Sequence, residues 1–247
     1  MKKRSSFIVI AAALLLIGFA AMPLWAQNTG RSGGSSRGAA SSQSAGGYST
    51  DFSGSIETVI ADIEPGTLTA EEEAGILLMR EEEKLARDVY LTLAEKWNIP
   101  VFSNIARSEE THMEAMGMLI QRYGLSDPIE ETAARGQYTN ETFDALYSEL
   151  TERGSASLEE ALKVGAFIED LDIADLQRLI DESVNDDVKI VYQNLLKGSR
   201  NHLRSFYRQV SRYDSSYIPE YISQADFDRI ISSSNESGVI DEPDFRF

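Results

Sequence analysis

The sequence predicts an all-α protein, a four-helix bundle with a short extra helix between its second and third helices and a packed C-terminal tail. Three observations predict this class. Apolar residues recur every three or four positions through four long stretches, which is the period of a helix that buries one face. Capping residues stand where these stretches begin, and glycine or proline follows several of them. No stretch alternates apolar and polar residues as a half-buried strand does.

The predicted helices follow one another in a simple order. A capping box of Thr69 and Glu72, in which each side chain satisfies the other's backbone amide, begins the first long helix. Pro100 ends it, because the residue before a proline is biased away from the helical conformation. The predicted helical ranges are 69–98, 102–123, 140–153, 157–183 and 186–213, and the packed tail covers 217–231.

The two ends of the chain differ in composition from the bundle at 56–235. Residues 1–26 have the basic start, apolar run and exit of a signal peptide, and the run of about 15 residues is shorter than a membrane span of about 20. Residues 27–55, rich in Gly, Ser and Ala, predict a flexible tether, and residues 236–247 predict an acidic flexible tail. We therefore expect export to the periplasm, the cell envelope or the medium. An uncleaved signal that anchors the chain in a membrane is the alternative.

Charge and cysteine content exclude several classes of function. The net charge is −17 at pH 7, so the surface repels nucleic acid and anionic lipid and attracts cations. We therefore expect metal ions as partners, no nucleic acid, and a membrane only if the signal is uncleaved. The chain contains no cysteine, which excludes a lipoprotein anchor, a disulfide framework and a thiolate metal site. A homodimer is compatible with the sequence.

In the second long helix, a carboxylate and a histidine interrupt the apolar stripe. Glu109 and His112 fall directly on that stripe, three residues apart and stacked on one helix face. Glu110 and Glu114 fall on the opposite face, where solvent is the natural partner. One Glu-x-x-His pair is therefore expected to face the core.

The other three long helices show the same feature. Glu83 interrupts the stripe of the first helix, although the neighbouring stripe would bury Glu82 instead, and the helical period leaves both open. Glu169 interrupts the stripe of the third helix, and Asp172 lies one turn on at its edge. His202 lies on the stripe of the fourth helix, so both histidines of the chain are expected to face inward.

Inward carboxylates without inward cations indicate a metal site. A buried ionised carboxylate is costly unless it is paired or bound to a metal. The basic residues of these helices fall mainly on polar faces, as Arg80, Lys84 and Arg87 do. Carboxylates with two imidazoles suit iron or manganese, and also zinc, rather than calcium or magnesium. The sequence therefore predicts a site for one or two such ions.

In these inward residues the sequence resembles the ferritin-like superfamily, and more closely the prokaryotic ferritin-like proteins classed as a domain of unknown function. The resemblance covers most of 67–231. Glu83, Ala86 and Tyr90 match the Glu-x-x-Ala-x-x-x-Tyr spacing of ferritin and bacterioferritin first helices. The segments that carry the closer resemblance are 81–90, 109–112, 167–173, 198–203 and 217–223.

The resemblance implies a ligand set. In ferritin-like di-iron proteins two helices each give one glutamate and two give Glu-x-x-His. Glu83, Glu109, His112, Glu169 and His202 match those positions. The fourth helix departs from the pattern, because Ser199 stands where the second Glu-x-x-His glutamate is expected. A mononuclear site or an asymmetric metal pair therefore stays open beside a symmetric one, and Asp172 is the candidate replacement ligand.

These features lead to two functional hypotheses. The first is an exported metal-binding protein, with a possible metal-dependent oxidoreductase activity on iron, oxygen or peroxide. Tyr90 is then either a phenol near the metal or an ordinary core aromatic residue. The second is a non-enzymatic envelope module with a remnant metal site, which binds a partner through its acidic surface or through the groove of the bundle. Glycoside hydrolysis by paired carboxylates is disfavoured, because nothing resembles a sugar cleft lined by exposed tryptophans.

Overall fold

Helices make up the regular structure of the chain. The computed structural model describes residues 51–129 and 134–247, with side chains from residue 55. Those residues contain no strand, so the predicted all-helical bundle is confirmed. The predicted signal peptide, and the tether up to residue 50, lie outside the described residues. The helices are α1 (Asp51–Ala61), α2 (Ala70–Trp97), α3 (Pro100–Tyr123), α4 (Glu141–Ala156), α5 (Leu158–Glu182), α6 (Asp186–Val210) and α7 (Gln224–Ser232), with a 3-10 turn at Ser211–Tyr213.

The helix ends lie close to the residues that the sequence indicated. Thr69 and Glu72 form the complete capping box at the start of α2. Asn98 ends α2 in the left-handed conformation, with φ of 49°, and Pro100 is the first residue of α3. Gly124 ends α3 with φ of 64°, a conformation that glycine adopts without steric cost.

Short connections pair the long helices. Two residues separate α2 from α3 and three separate α5 from α6, so the members of each pair run antiparallel. The connection from α3 to α5 is long and contains α4, which packs against α2 and α5. The four long helices thus consist of two antiparallel pairs joined by one crossover. Within the described residues, no helix is long and apolar enough to cross a membrane.

One helix was not predicted, and another extends beyond its predicted bounds. The helix α1 begins inside the range predicted to be a tether. It packs against α3 and α6 and buries the side chains of Ile56 and Ile60, which stabilises it there. The short helix α4 continues through Gly154, where the sequence predicted its end. A side chain at that position would approach Leu93 within 2.8 Å, so glycine allows α4 to pack closely on α2.

The predicted packed tail is present, and the structure extends it. Buried Asp170 of α5 accepts hydrogen bonds from the Tyr217 hydroxyl (2.7 Å) and from the backbone N–H of Ile222 (2.9 Å). The helix α7 then buries Phe227 and Ile230 against the bundle. These contacts fix the chain after α6 to the outside of α5 and α6.

Residues 236–247 differ from the predicted flexible tail. They lie along the outer, polar face of α6 and satisfy side chains that would otherwise be buried without partners. Asn194 exchanges hydrogen bonds with the backbone of Ile240 (2.8 and 2.9 Å), and Arg200 pairs with Glu236. The Arg200 guanidinium also lies 4.3 Å from the ring centre of Phe247. Composition did not reveal this because the partners are 36 or more residues away in the sequence.

Candidate metal centre

The five predicted site residues meet in the middle of the four long helices. Each of the four helices contributes at least one of them. Their side chains are almost fully buried, and none is more than 3% exposed. They are Glu83 from α2, Glu109 and His112 from α3, Glu169 from α5, and His202 from α6.

Glu109 lies between the two histidines. Its Oε2 is 2.9 Å from Nδ1 of His112, and its Oε1 is 2.9 Å from Nδ1 of His202. The outer sides of the histidines face the other two glutamates. Glu83 Oε2 is 3.2 Å from Nδ1 of His112, and Glu169 Oε2 is 3.4 Å from Nδ1 of His202. The site is therefore a nearly symmetric row of alternating carboxylates and imidazoles with Glu109 at its centre.

Both imidazole rings present the same nitrogen to the carboxylates. The two rings stack with centroids 5.4 Å apart and planes inclined by 26°. Nδ1 of each ring faces the row of carboxylates, whereas Nε2 of His202 lies 2.9 Å from Oγ of Ser108. In a metal-bound form, a hydrogen bond from Nε2–H of His202 to Oγ of Ser108 would leave the Nδ1 lone pair directed into the site, which is the tautomer that a metal requires.

Gly198 makes room for the other imidazole. A β-carbon at this position would lie 2.4 Å from Nε2 of His112, closer than real side chains approach. The backbone of α6 therefore approaches the His112 ring directly, and any larger residue would displace the ring. Ser108 and Gly198 were not predicted as site residues, because their role depends on packing between helices rather than on the pattern of one helix.

Glu82 and Asp172, which the sequence predicted as less favoured metal ligands, are also buried. Glu82 lies beside Glu83, and among the described residues no donor reaches either of its carboxylate oxygens. Since Glu83 contacts His112 directly, the geometry favours Glu83 over Glu82 as the residue that faces the histidines. Asp172 accepts a hydrogen bond from Ser199 through Oδ2. Its Oδ1 is buried and has no hydrogen-bond partner among the described residues.

The prediction that Lys84 lies on a polar face is wrong. Its side chain is buried, and Nζ lies 2.5 Å from Oδ2 of Asp88 and 3.0 Å from the carbonyl oxygen of Ala134. This pair anchors the connection before α4. The ion-pair partners of Glu83 and Glu109 are histidines instead, so Lys84 does not neutralise the central carboxylates.

Burial and mutual repulsion shift the ionisation of the acids. Burial raises the pKa of Glu83 to about 7 against the opposing influence of His112. Burial, with the charge of Glu109, raises the pKa of Glu169 to about 7 as well. Burial would also raise the pKa of Glu109, but the two histidines outweigh it and hold that pKa far below its usual value. Glu109 is thus the carboxylate most firmly ionised.

The pKa values of both histidines are raised. Burial alone would lower the pKa of His112, but the carboxylates of Glu83 and Glu109 outweigh it and raise the pKa to about 10. The pKa of His202 is raised well above its usual value for the same reason, through Glu109 and Glu169. Without a metal ion, protons on the imidazoles therefore occupy the region between the acids. A metal cation that binds there would replace those protons.

Tyr90 of α2 completes the surroundings of Glu169. Its hydroxyl donates a 2.6 Å hydrogen bond to Oε1 of Glu169, which leaves Oε2 on the side of His202. The Tyr90 ring packs against Phe206 at a centroid distance of 5.1 Å and is fully buried. Tyr90 is therefore both an aromatic residue of the core and a hydrogen-bond donor that orients a site carboxylate.

The donor set fits a metal ion of the iron, manganese or zinc type. One oxygen of Glu109 and one nitrogen of each histidine lie within 4.8 Å of one another. Buried carboxylate oxygens with no donor among the described residues, Oε1 of Glu83 and Oδ1 of Asp172, add unused ligand capacity. Imidazole and carboxylate ligands together suit these metals.

A family model described as an uncharacterized protein domain (DUF2202) matches residues 72–234, which include all of these side chains. The chain belongs to the DUF2202 family. The uncharacterized protein MJ0754 of Methanocaldococcus jannaschii is 50% identical over 180 residues, which cover 73% of this chain and 97% of the relative. A crystal structure of hypothetical protein MJ0754 matches with a TM-score of 0.69, over 71% of this chain and 99% of that chain.

The DUF2202 match covers the helices from α2 to α7 but not every part of the bundle. The matched region begins inside the first turn of α2 and ends just after α7. The helix α1 and the segment 236–247 therefore lie outside the matched region, although both pack against the bundle in this chain. The predicted membership of a family of uncharacterized domains agrees with this match.

Proposed function

We propose that this DUF2202 protein is an exported, ferritin-like metal-binding protein that holds one or two iron or manganese ions between its four long helices. Zinc is the third metal that the same ligands suit. Glu83, Glu109, His112, Glu169 and His202 are the proposed ligands. Export is proposed from the signal-like N-terminal residues alone.

One observation carries the proposal, which is the position of Glu109 between the two histidines. Each of its oxygens approaches the Nδ1 atom of a different imidazole at 2.9 Å. A carboxylate in this position can give one oxygen to each of two cations, or both oxygens to a shared one. Nearly complete burial of the surrounding acids favours a cation at this place, because their ionised forms are otherwise costly.

The helix topology supports the ferritin-like assignment. Ferritin-like bundles have one long crossover connection, and they build metal sites from side chains that project inward from all four helices. Here α2 with α3 and α5 with α6 form two antiparallel pairs, and the crossover contains α4. Glu83 and Glu169 take the places of the single glutamates, and Glu109 with His112 supplies the one complete Glu-x-x-His pair.

The chemistry follows from the ligand set and its burial. Bound iron or manganese would supply one-electron redox chemistry suited to iron oxidation or to reactions of oxygen or peroxide. The protein holds the ligands in place through Tyr90, which fixes Glu169, and through Ser108, which fixes the His202 ring. The buried side chains exclude bulk water from the site, and Tyr90 places a phenol hydroxyl one hydrogen bond away from a ligand.

Metal content tests the proposal. Protein loaded with Fe²⁺ or Mn²⁺ without oxygen, then desalted, is expected to retain one to two ions per chain by elemental analysis. A variant with His112→Ala should retain clearly less, since α3 has no other inward imidazole. Glu114→Gln is the matched control, because Glu114 lies on the exposed face of the same helix. Parent protein that retains no metal after loading would contradict the proposal and favour an envelope module with a remnant site.

A further inference from the structure

The structure suggests how the fourth helix compensates for its missing acid. Ser199 of α6 lies one turn before His202 and is fully buried, so position 199 faces the same region as that histidine. A serine hydroxyl is too short to reach a metal held by His202. Its Oγ instead donates a hydrogen bond to Oδ2 of Asp172 on α5. A carboxylate from the neighbouring helix therefore lies at the place where a fourth-helix glutamate would extend.

Among the described residues, only one of the two carboxylate oxygens of Asp172 has a hydrogen-bond partner. It lies one turn after Glu169 on α5, and it is 5% exposed. Ser199 holds its Oδ2, while its Oδ1 is buried without a hydrogen-bond donor among the described residues. A buried carboxylate oxygen without a donor is costly unless a proton or a cation satisfies it.

Asp172 lies near other buried carboxylates. Burial raises the pKa of Asp172, and the nearby carboxylates of Glu83, Glu82 and Glu169 raise it further. Glu83 and Glu169 are the two acids at the outer ends of the row of ligands. Asp172 therefore lies near both outer acids, whereas Glu109 contacts both histidines.

We infer that Asp172, held by Ser199, is the fourth carboxylate ligand of the site and completes a two-ion centre. The inference rests on the proposed metal-binding function. In this arrangement α5 supplies both Glu169 and Asp172, and α6 supplies His202 together with the serine that orients Asp172. The site is then dinuclear although α6 lacks its glutamate.

Mn²⁺ titration of four proteins tests the inference. Parent protein is expected to bind two Mn²⁺ per chain by isothermal titration and elemental analysis. Asp172→Asn keeps the size of the side chain and should weaken the second ion more than about 100-fold, which exceeds the usual effect of an outer-sphere partner. Ser199→Ala keeps the carboxylate but loses its hydrogen bond, so it should weaken the second ion by about 10- to 100-fold. Glu110→Gln, which removes an exposed acid on the opposite face of α3, is the control and should still bind two.

A double variant tests the position of the carboxylate. Ser199→Glu in the Asp172→Asn background should restore the second Mn²⁺, because it returns an acid to the same region from α6. Two ions of unchanged affinity in Asp172→Asn, or a single ion in the parent, would overturn the inference while leaving metal binding intact. No ion in the parent would instead contradict the proposed function. Should Asp172→Asn fail to fold, as judged by circular dichroism, an unchanged affinity in Ser199→Ala would overturn the inference.

Discussion

Glu109→Gln is expected to abolish metal binding at both positions with a change of only one atom. Glu109 is the carboxylate that approaches Nδ1 of both histidines, so in the proposed two-ion site its loss would remove one ligand from each ion. Loss of a partner that only orients a ligand costs about 10- to 100-fold in affinity, and loss of a shared ligand should exceed this range for both ions. Isothermal titration with Mn²⁺ or Fe²⁺ measures the effect directly.

The same substitution should also destabilise the metal-free protein. Glu109 is the acid whose pKa the histidines hold far below its usual value, so it is the charge that balances both imidazoles. Removal of one partner from a buried ion pair costs about 3–5 kcal/mol. Urea unfolding of the metal-free forms should show a loss in this range. Glu110→Gln is the control, since Glu110 is exposed on the opposite face of α3 and should change neither affinity nor stability appreciably.

Metal loading is expected to raise the melting temperature of the parent strongly. A ligand that binds only the folded state stabilises it by about 4 kcal/mol when its concentration is a thousand times its Kd. For a domain of this size each kcal/mol raises Tm by about 2–4 °C, so one ion should add roughly 8–16 °C. Differential scanning calorimetry with and without Mn²⁺ measures the shift.

Two controls make the thermal result specific. Glu109→Gln should show no comparable shift, because it lacks the shared ligand. Mg²⁺ at the same concentration should have little effect on the parent, since it prefers oxygen ligands and retains several of its waters. An equal shift with Mg²⁺, or in Glu109→Gln, would indicate that cations act on the acidic surface rather than in the bundle.

Helical periodicity was sufficient to predict that the two histidines and Glu109 face the core. Glu109 and His112 lie in phase with the apolar residues of α3, and His202 lies in phase with those of α6. Periodicity could not separate Glu82 from Glu83, and the structure shows why, because α2 packs against several elements and both residues are buried. Such a helix has more than one inward stripe.

Contacts between distant segments could not be predicted. Gly198 leaves space for the ring of His112, and Ser108 forms a hydrogen bond with the ring of His202. Both contacts exist only because α3 and α6 pack together. Lys84 was misplaced for a related reason, since its partners Asp88 and Ala134 make a buried position tolerable. Buried polar residues are hard to predict from one sequence, because such a residue is buried only where partners from other segments satisfy its hydrogen bonds.

Anomalous X-ray diffraction from crystals loaded with Mn²⁺ or Fe²⁺ tests the central claim most directly. The expected result is two peaks about 3.5–4 Å apart, one beside Nδ1 of His112 and one beside Nδ1 of His202, with Glu109 between them. Each peak should lie close to its nitrogen ligand, at about the 2.0–2.1 Å found between zinc and histidine nitrogen. Loaded crystals with no anomalous peak at Glu109, or with peaks only on the acidic surface, would contradict the account.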